Sequence, residues 1–218
     1  MINTIIFDLD GTLIESLTSI VASMNSILKN NGFPTHPFED YRMFVGDGVE
    51  KLVERALPDS GKEMALKFTE EYVRIYTDTW REKTIPFDGI IEMLNELKMK
   101  GKTLMILSNK RDDLTKLQVN ELFPEISFSD VRGAIADIPK KPDPLTALKM
   151  VNSAGSKPGE TIFIGDSGVD MLTGVNAGMT SGGVLWGFRS REELKRDGAN
   201  FLFQTPLDIV KTLLVDGI

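Results

Sequence analysis

Two carboxylates stand two residues apart in Ile5-Ile6-Phe7-Asp8-Leu9-Asp10-Gly11-Thr12, where an apolar run stops. In extended chain that spacing turns Asp8 and Asp10 to one side. Carboxylates so close repel unless a cation or a shared proton separates them. Gly11 permits a sharp turn immediately after them. A solvated Asp-Gly turn closing a strand accounts for these residues equally well. Three further stretches end apolar runs on polar groups: Ser108-Asn109, Lys140-Lys141-Pro142 and Gly165-Asp166-Ser167-Gly168-Val169-Asp170. With a helix opening near Ser167, Asp166 and Asp170 face one pocket. Singly, each stretch also reads as a helix cap, a surface lysine, or acidic residues in a first helical turn. Together they suit phosphoryl transfer. Aspartates offer hard oxygen ligands to Mg2+ and a nucleophile able to form an aspartyl phosphate. A hydroxyl and a lysine can carry the charge of the phosphoryl oxygens.

The elements that must position these groups follow from periodicity. The run before Asp8 reads as a strand buried on both faces, in the middle of a parallel sheet. Ser16 is placed to cap a helix carrying Ile20, Met24, Ile27 and Leu28, which Asn31-Gly32 and Pro34 end. Val49, Leu52, Val53, Ala56 and Leu57 form a second stripe, stopped by Pro58. A third helix spans about Gly61 to Trp80, with Phe68, Tyr72, Ile75, Tyr76 and Trp80 on a face read as core. Ile85-Pro86-Phe87-Asp88-Gly89 is a return linker. Beyond it, helices and strands alternate. Strands are expected at Thr103–Leu107, near Ile126–Phe128, and at Thr161–Ile164, Gly182–Trp186 and Asn200–Phe203. Helices are expected from Ile90 to Gly101, through Leu114, Leu117 and Leu122, from Pro144 to about Ala154, and over Pro206–Val215. The fold class is α/β: a Rossmann-like parallel sheet with helices on both faces, and an all-α insert after the first strand. Strand ends in such sheets collect ligands at the C-terminal edge, where all four polar stretches fall.

Composition narrows the function classes. The chain of 218 residues is long enough for a core plus a smaller unit. It contains no apolar run of about 20 residues, so no membrane span is expected. The first residues carry no basic segment, so no secretory signal is expected either. The absence of cysteine excludes disulfides, thiolate metal sites and thiol nucleophiles, and fits a reducing cytoplasm. A net charge of −7 argues against nucleic acid and anionic membranes as partners. A phosphate site remains compatible with it, because a bound divalent cation inverts local charge. The single histidine, His36, lies between Thr35 and Pro37 and reads as an exposed turn residue. Neither a G-x-x-x-x-G-K-[S/T] nor a G-x-G-x-x-G nucleotide cradle is present.

Asp8-Leu9-Asp10-Gly11-Thr12, Ser108-Asn109, Lys141-Pro142 and Gly165-Asp166-Ser167-x-x-Asp170, in that order, resemble the four motifs of the haloacid-dehalogenase superfamily. The resemblance covers nearly the whole chain. The helical insert is similar to the superfamily's C1-type cap, which implies a core of residues 1–14 and 86–218 and a cap of 15–85. The resemblance implies Asp8 as nucleophile and Asp10 as general acid/base. It implies Mg2+ bound by Asp8, the Asp10 carbonyl and Asp166, with Asp170 in the outer shell, through water or by fixing Lys141. Ser108, the Asn109 backbone and Lys141 would hold the phosphoryl group. Lys141 is preferred to Lys140 because the family lysine directly precedes proline. An aspartate at position 10 favours phosphoryl chemistry over dehalogenation. Glu15 is a departure, standing where relatives commonly carry Asp.

Val45-Gly46-Asp47-Gly48 is similar to a loop of phosphoglycolate phosphatases within the superfamily. Its glycines would place backbone N–H groups near a small anionic substrate; an ordinary loop entering a helix is the other reading. Val184-Leu185-Trp186-Gly187-Phe188 with Gly198-Ala199 resembles the same relatives. The expectation is a Mg2+-dependent phosphatase acting on a small phosphorylated metabolite, 2-phosphoglycolate first, as a monomer or homodimer. Inorganic pyrophosphatase, sugar-phosphate phosphatase and a β-phosphoglucomutase-like phosphomutase share the machinery. A non-catalytic binding module would not need all four motifs.

Overall fold

A computed structural model of the chain describes residues 1–215, so the last three residues of the expected core lie outside it. The first strand, β1 (Thr4–Phe7), is fully buried; Ile5 and Phe7 enter the hydrophobic cluster on one face of the sheet and Ile6 that on the other. The chain then turns through β2 (Ile14–Glu15) into four helices, α1 (Leu17–Asn30), α2 (Phe38–Phe44), α3 (Val49–Ala56) and α4 (Ala65–Thr79). It returns through β3 (Ile85–Pro86), which pairs antiparallel with β2. Then follow α5 (Ile90–Met99), β4 (Thr103–Arg111), α6 (Asp112–Leu122), β5 (Asp130–Ala134) and α7 (Leu145–Ser153). The last elements are β6 (Thr161–Gly165), α8 (Gly168–Asn176), β7 (Thr180–Val184), α9 (Arg191–Arg196), β8 (Phe201–Phe203) and α10 (Pro206–Val210). A π-helical turn over Lys211–Val215 continues α10.

The sheet is parallel, in the order β5-β4-β1-β6-β7-β8. Strands run outward from β1 on one side through β4 and β5, then restart beside it at β6. The order therefore reverses between β1 and β6, and such a reversal opens a crevice beyond the carboxyl ends of the two strands. Asp8 follows one strand and Asp166 the other. Helices α5 and α10 cover one face and α7 the other. The inserted helices enclose a cluster of their own around Met24, Tyr41, Phe68, Tyr76 and Trp80, which reaches Leu114 of α6.

Several expectations about elements are corrected. Ser16 does not cap α1 with its side chain; the Thr18 N–H donates to Glu15 Oε1 at 3.2 Å instead. Helix α2 was not anticipated, because seven residues with Phe38 and Met43 exposed carry little periodicity. Ile126 and Phe128 pack into the core from a loop, and the strand comes later, at Asp130. As an edge strand, β5 carries charged residues, Asp130 and Arg132, that disguise it. Strand β7 begins at Thr180 and ends at Val184, leaving Trp186 to donate from Nε1 to the Thr12 carbonyl at 3.0 Å. His36 is half-buried, bonded through Nε2 to the Ala56 carbonyl at 2.8 Å and packed edge-on to Phe44. Among the described residues no helix is long and apolar enough to cross a membrane.

Candidate active site

Asp8 extends β1 by one residue, its N–H donating to the Ile164 carbonyl at 2.8 Å. Its carboxylate is thereby fixed above the β1–β6 crevice. The backbone turns at Gly11, where φ is +84° and a Cβ would collide with the Asp166 carboxylate. Only glycine meets both requirements. At the end of β6, Asp166 accepts from the Phe188 N–H at 2.7 Å. Ser167 begins α8 in a capping box: its N–H and Oγ donate to Asp170 Oδ2 at 3.0 and 2.7 Å. The other Asp170 oxygen accepts from Lys141 Nζ at 2.6 Å, and the same ammonium donates to Asp8 Oδ1 at 2.6 Å. Lys140 turns outward to Glu50 at 2.7 Å, so Lys141 is the lysine of the pocket.

Asn109 holds that lysine in place. Its Oδ1 accepts from the Lys141 N–H at 2.9 Å, and its Nδ2 donates to the Lys141 carbonyl at 3.1 Å and to the Gly46 carbonyl at 3.0 Å. The pairing register of β4 with β5 shifts between Leu107 and Arg111, which sets Ser108, Asn109 and Lys110 apart from the regular ladder. Ser108 is buried, and its Oγ accepts from the Lys110 N–H at 3.2 Å.

Asp8, Asp166 and Asp170 each bring a carboxylate oxygen within 4.8 Å of the others. Burial pushes the Asp8 carboxyl up to about 7; Lys141 pulls it down and Asp170 pushes it further up. Burial, then the charges of Asp170 and Asp8, hold Asp166 well above the usual carboxylate range. Burial works against the Lys141 ammonium, but Asp170 and Asp8 outweigh it and hold it above the ordinary lysine value. Of these three buried carboxylates, Asp8 and Asp170 share the Lys141 ammonium. The imbalance and the all-oxygen donor set fit a hard divalent cation.

A cavity of about 80 Å3 opens over these groups, lined by Asp8, Asp10, Ser108, Asn109, Lys141, Asp166 and Asp170. Gly46 and Gly48, both at positive φ, line it from the inserted helices' side. Tyr72 and Tyr76 are buried as expected, yet they also line this cavity. Three basic residues in the lining, Lys110, Arg111 and Arg189, were not singled out from sequence. Lys110 pairs with Asp10 Oδ1 at 2.6 Å, and its place directly after Ser108-Asn109 was the available signal. Arg189 donates to the Val45 carbonyl at 2.9 Å and pairs with Glu193 at 3.3 Å; it directly follows the Val184–Phe188 stretch.

Residues 5–184 match the model of the haloacid dehalogenase-like hydrolase family. The chain belongs to that family. It is 32% identical to a phosphoglycolate phosphatase of Caulobacter vibrioides, over 97% of this chain and 90% of that one. It is also 32% identical to a phosphoglycolate phosphatase of Aquifex aeolicus, over 96% and 95% of the two chains. A solved structure from Lactobacillus delbrueckii subsp. bulgaricus, provisionally a phosphoglycolate phosphatase, superposes with a TM-score of 0.85 at 28% identity, covering 97% of this chain and 98% of that one. With family and relatives in agreement, the protein is a phosphoric monoester hydrolase, and its acidic triad belongs to a metal-dependent fold.

Proposed function

We propose that the protein hydrolyses 2-phosphoglycolate through a phosphoaspartate on Asp8, with Mg2+ as its metal. The observation that carries this reading is the buried Lys141 ammonium joining Asp8 to Asp170 beside Asp166, under a small cavity. Residues 1–14 and 86–218 act as the core and 15–85 as a cap over it.

Asp8 attacks phosphorus with the carboxylate oxygen that Lys141 leaves free, and the bond from phosphorus to the leaving oxygen breaks. Asp10 gives its proton to that oxygen. It then takes one from the water that attacks the phosphoaspartate, releasing phosphate and restoring the Asp8 carboxylate. Ser108, the Asn109 backbone and Lys141 bear the charge of the phosphoryl oxygens. Asp8, the Asp10 carbonyl and Asp166 would hold Mg2+, which supplies positive charge against the carboxylates and the phosphate dianion. Asp170, both of whose oxygens are engaged by Lys141 and Ser167, acts by fixing Lys141. The Gly46–Gly48 loop selects the substrate's far end, in line with the relatives named for phosphoglycolate. Absence of cysteine and a net charge of −7 support a cytoplasmic enzyme of small metabolites with no nucleic-acid partner.

A turnover panel with Mg2+ over 2-phosphoglycolate, pyrophosphate, hexose phosphates and nucleoside monophosphates tests the reading. The expected result is a preference for 2-phosphoglycolate in kcat/KM of at least about tenfold, a modest discrimination for contacts to one anionic group. A higher value for any other member overturns the substrate. Isomerised rather than hydrolysed hexose phosphate overturns the reaction.

A further inference from the structure

Lys110 is one of three basic residues of the cavity lining, with Arg111 and Arg189, that the mechanism above leaves unused. Its ammonium is nearly buried and meets three acceptors: Asp10 Oδ1 at 2.6 Å, Gln118 Oε1 at 2.6 Å and Tyr76 Oη at 3.1 Å. A lysine ammonium has three protons, and here each has a partner. Gln118 is completely buried, and its Nε2 also donates to Tyr76 Oη, at 3.2 Å. The seat is therefore built from α6 and α4 together, and it leaves Lys110 no donor with which to take up an anionic group of a substrate. What it does leave is the second oxygen of Asp10, a residue that lines the cavity.

We propose that Lys110 is the positioning residue for proton transfer by Asp10, an inference that rests on the reading of Asp10 as acid and base. The ammonium on Oδ1 fixes the plane of the carboxyl and confines its proton to Oδ2. As the bond from phosphorus to the leaving oxygen breaks, that proton moves from Oδ2 to the leaving oxygen. The Asp10 carboxylate that remains is paired with Lys110, whose own protons stay in place. Gln118 and Tyr76 hold the ammonium from behind, so that it points at Asp10 and not into the cavity.

The test uses leaving-group dependence, because a proton from Asp10 matters only when the leaving oxygen is basic. Three probes serve: 2-phosphoglycolate, ethyl phosphate, which lacks a second anionic group, and p-nitrophenyl phosphate, whose phenolate departs unaided. For Lys110→Met we expect kcat/KM to fall on the order of 10- to 100-fold on both alkyl esters and no more than about threefold on the aryl ester. Gln118→Leu, which keeps the ammonium but loosens its seat, shows the same selectivity at smaller amplitude. Asp10→Asn shows it at larger amplitude, and adding Lys110→Met to Asp10→Asn costs nothing further. A loss confined to 2-phosphoglycolate makes Lys110 a substrate ligand and overturns the proposal, as do uniform losses on all three probes in both Lys110→Met and Gln118→Leu. If Asp10→Asn itself lacks the selectivity, the acid/base reading of Asp10 has failed. If Asp10→Asn has it and neither Lys110→Met nor Gln118→Leu does, only the role of Lys110 has failed.

Discussion

Asp8 and Asp170 accept from one ammonium, and for Asp8 that positive charge offsets part of the upward push of burial. Replacing Asp8 by Asn keeps the shape and an acceptor for Lys141 but removes the attacking oxygen. Turnover should fall on the order of a thousandfold or more, as when covalent nucleophiles are removed elsewhere. Covalent labelling by substrate phosphate, read by intact-mass spectrometry, should vanish; retention of near-native turnover would show that another group attacks. Asp166→Ala should shift the Mg2+ activation curve to higher concentration, because one of three clustered oxygens is lost. An unchanged titration would remove Asp166 from the ligand set.

The inserted helices stand on their own cluster, at whose centre Trp80 is fully buried with Arg81 stacked on its ring at 4.7 Å. Trp80→Ala should cost about 3–5 kcal/mol of stability in denaturant unfolding, the usual scale for a buried aromatic cut to Ala. At the loop between α2 and α3, Gly48 has φ +94° and a Cβ there would meet Lys140 Nζ at 2.8 Å. Gly48→Val should therefore raise KM for 2-phosphoglycolate by more than it does for p-nitrophenyl phosphate; equal effects would make the loop a structural device only. The long amphipathic helices and the buried strands were legible in sequence because each repeats its pattern over several turns or ends on polar residues. Asp8, Asp10, Ser108, Asn109, Lys141, Asp166, Asp170, Gly46 and Gly48 all come to the one cavity. Helix α2, edge strand β5 and the Glu15 contact to α1 were not legible. Each depends on a neighbour supplied by the fold, not on its own periodicity. Lys110 was hidden for the same reason: its partners Gln118 and Tyr76 lie 8 and 34 residues away.

For the molecule as a whole, the acidic triad makes stability depend on pH and metal together. The Asp8 carboxyl has an ordinary value of 3.8 and stands at about 7 in the fold, so the folded protein holds an extra proton between those values. Its contribution to stability is present below about pH 4 and is lost as pH rises through about 7. Asp166, raised by burial and by the neighbouring carboxylates, acts in the same direction. Thermal unfolding in chelator should therefore show a melting temperature that falls as pH rises across that window. Millimolar Mg2+ should restore it more at pH 7 than at pH 5, where protons already occupy the site. A flat profile in chelator and no gain with Mg2+ would show that the triad binds no metal.

The chain enters the inserted helices from Ile14–Glu15 and comes back at Ile85–Pro86, and these two pairs of residues are bonded to each other as a ribbon of their own. Whatever lies between them closes a loop whose ends are already joined, and doubling such a loop costs only about 0.6 kcal/mol. For descent with modification, the ribbon is a splice point. Helices there can be lengthened or exchanged without moving Asp8 against Asp166, and where the Tyr76 hydroxyl that meets Lys110 is kept, selectivity can change while reactivity is inherited.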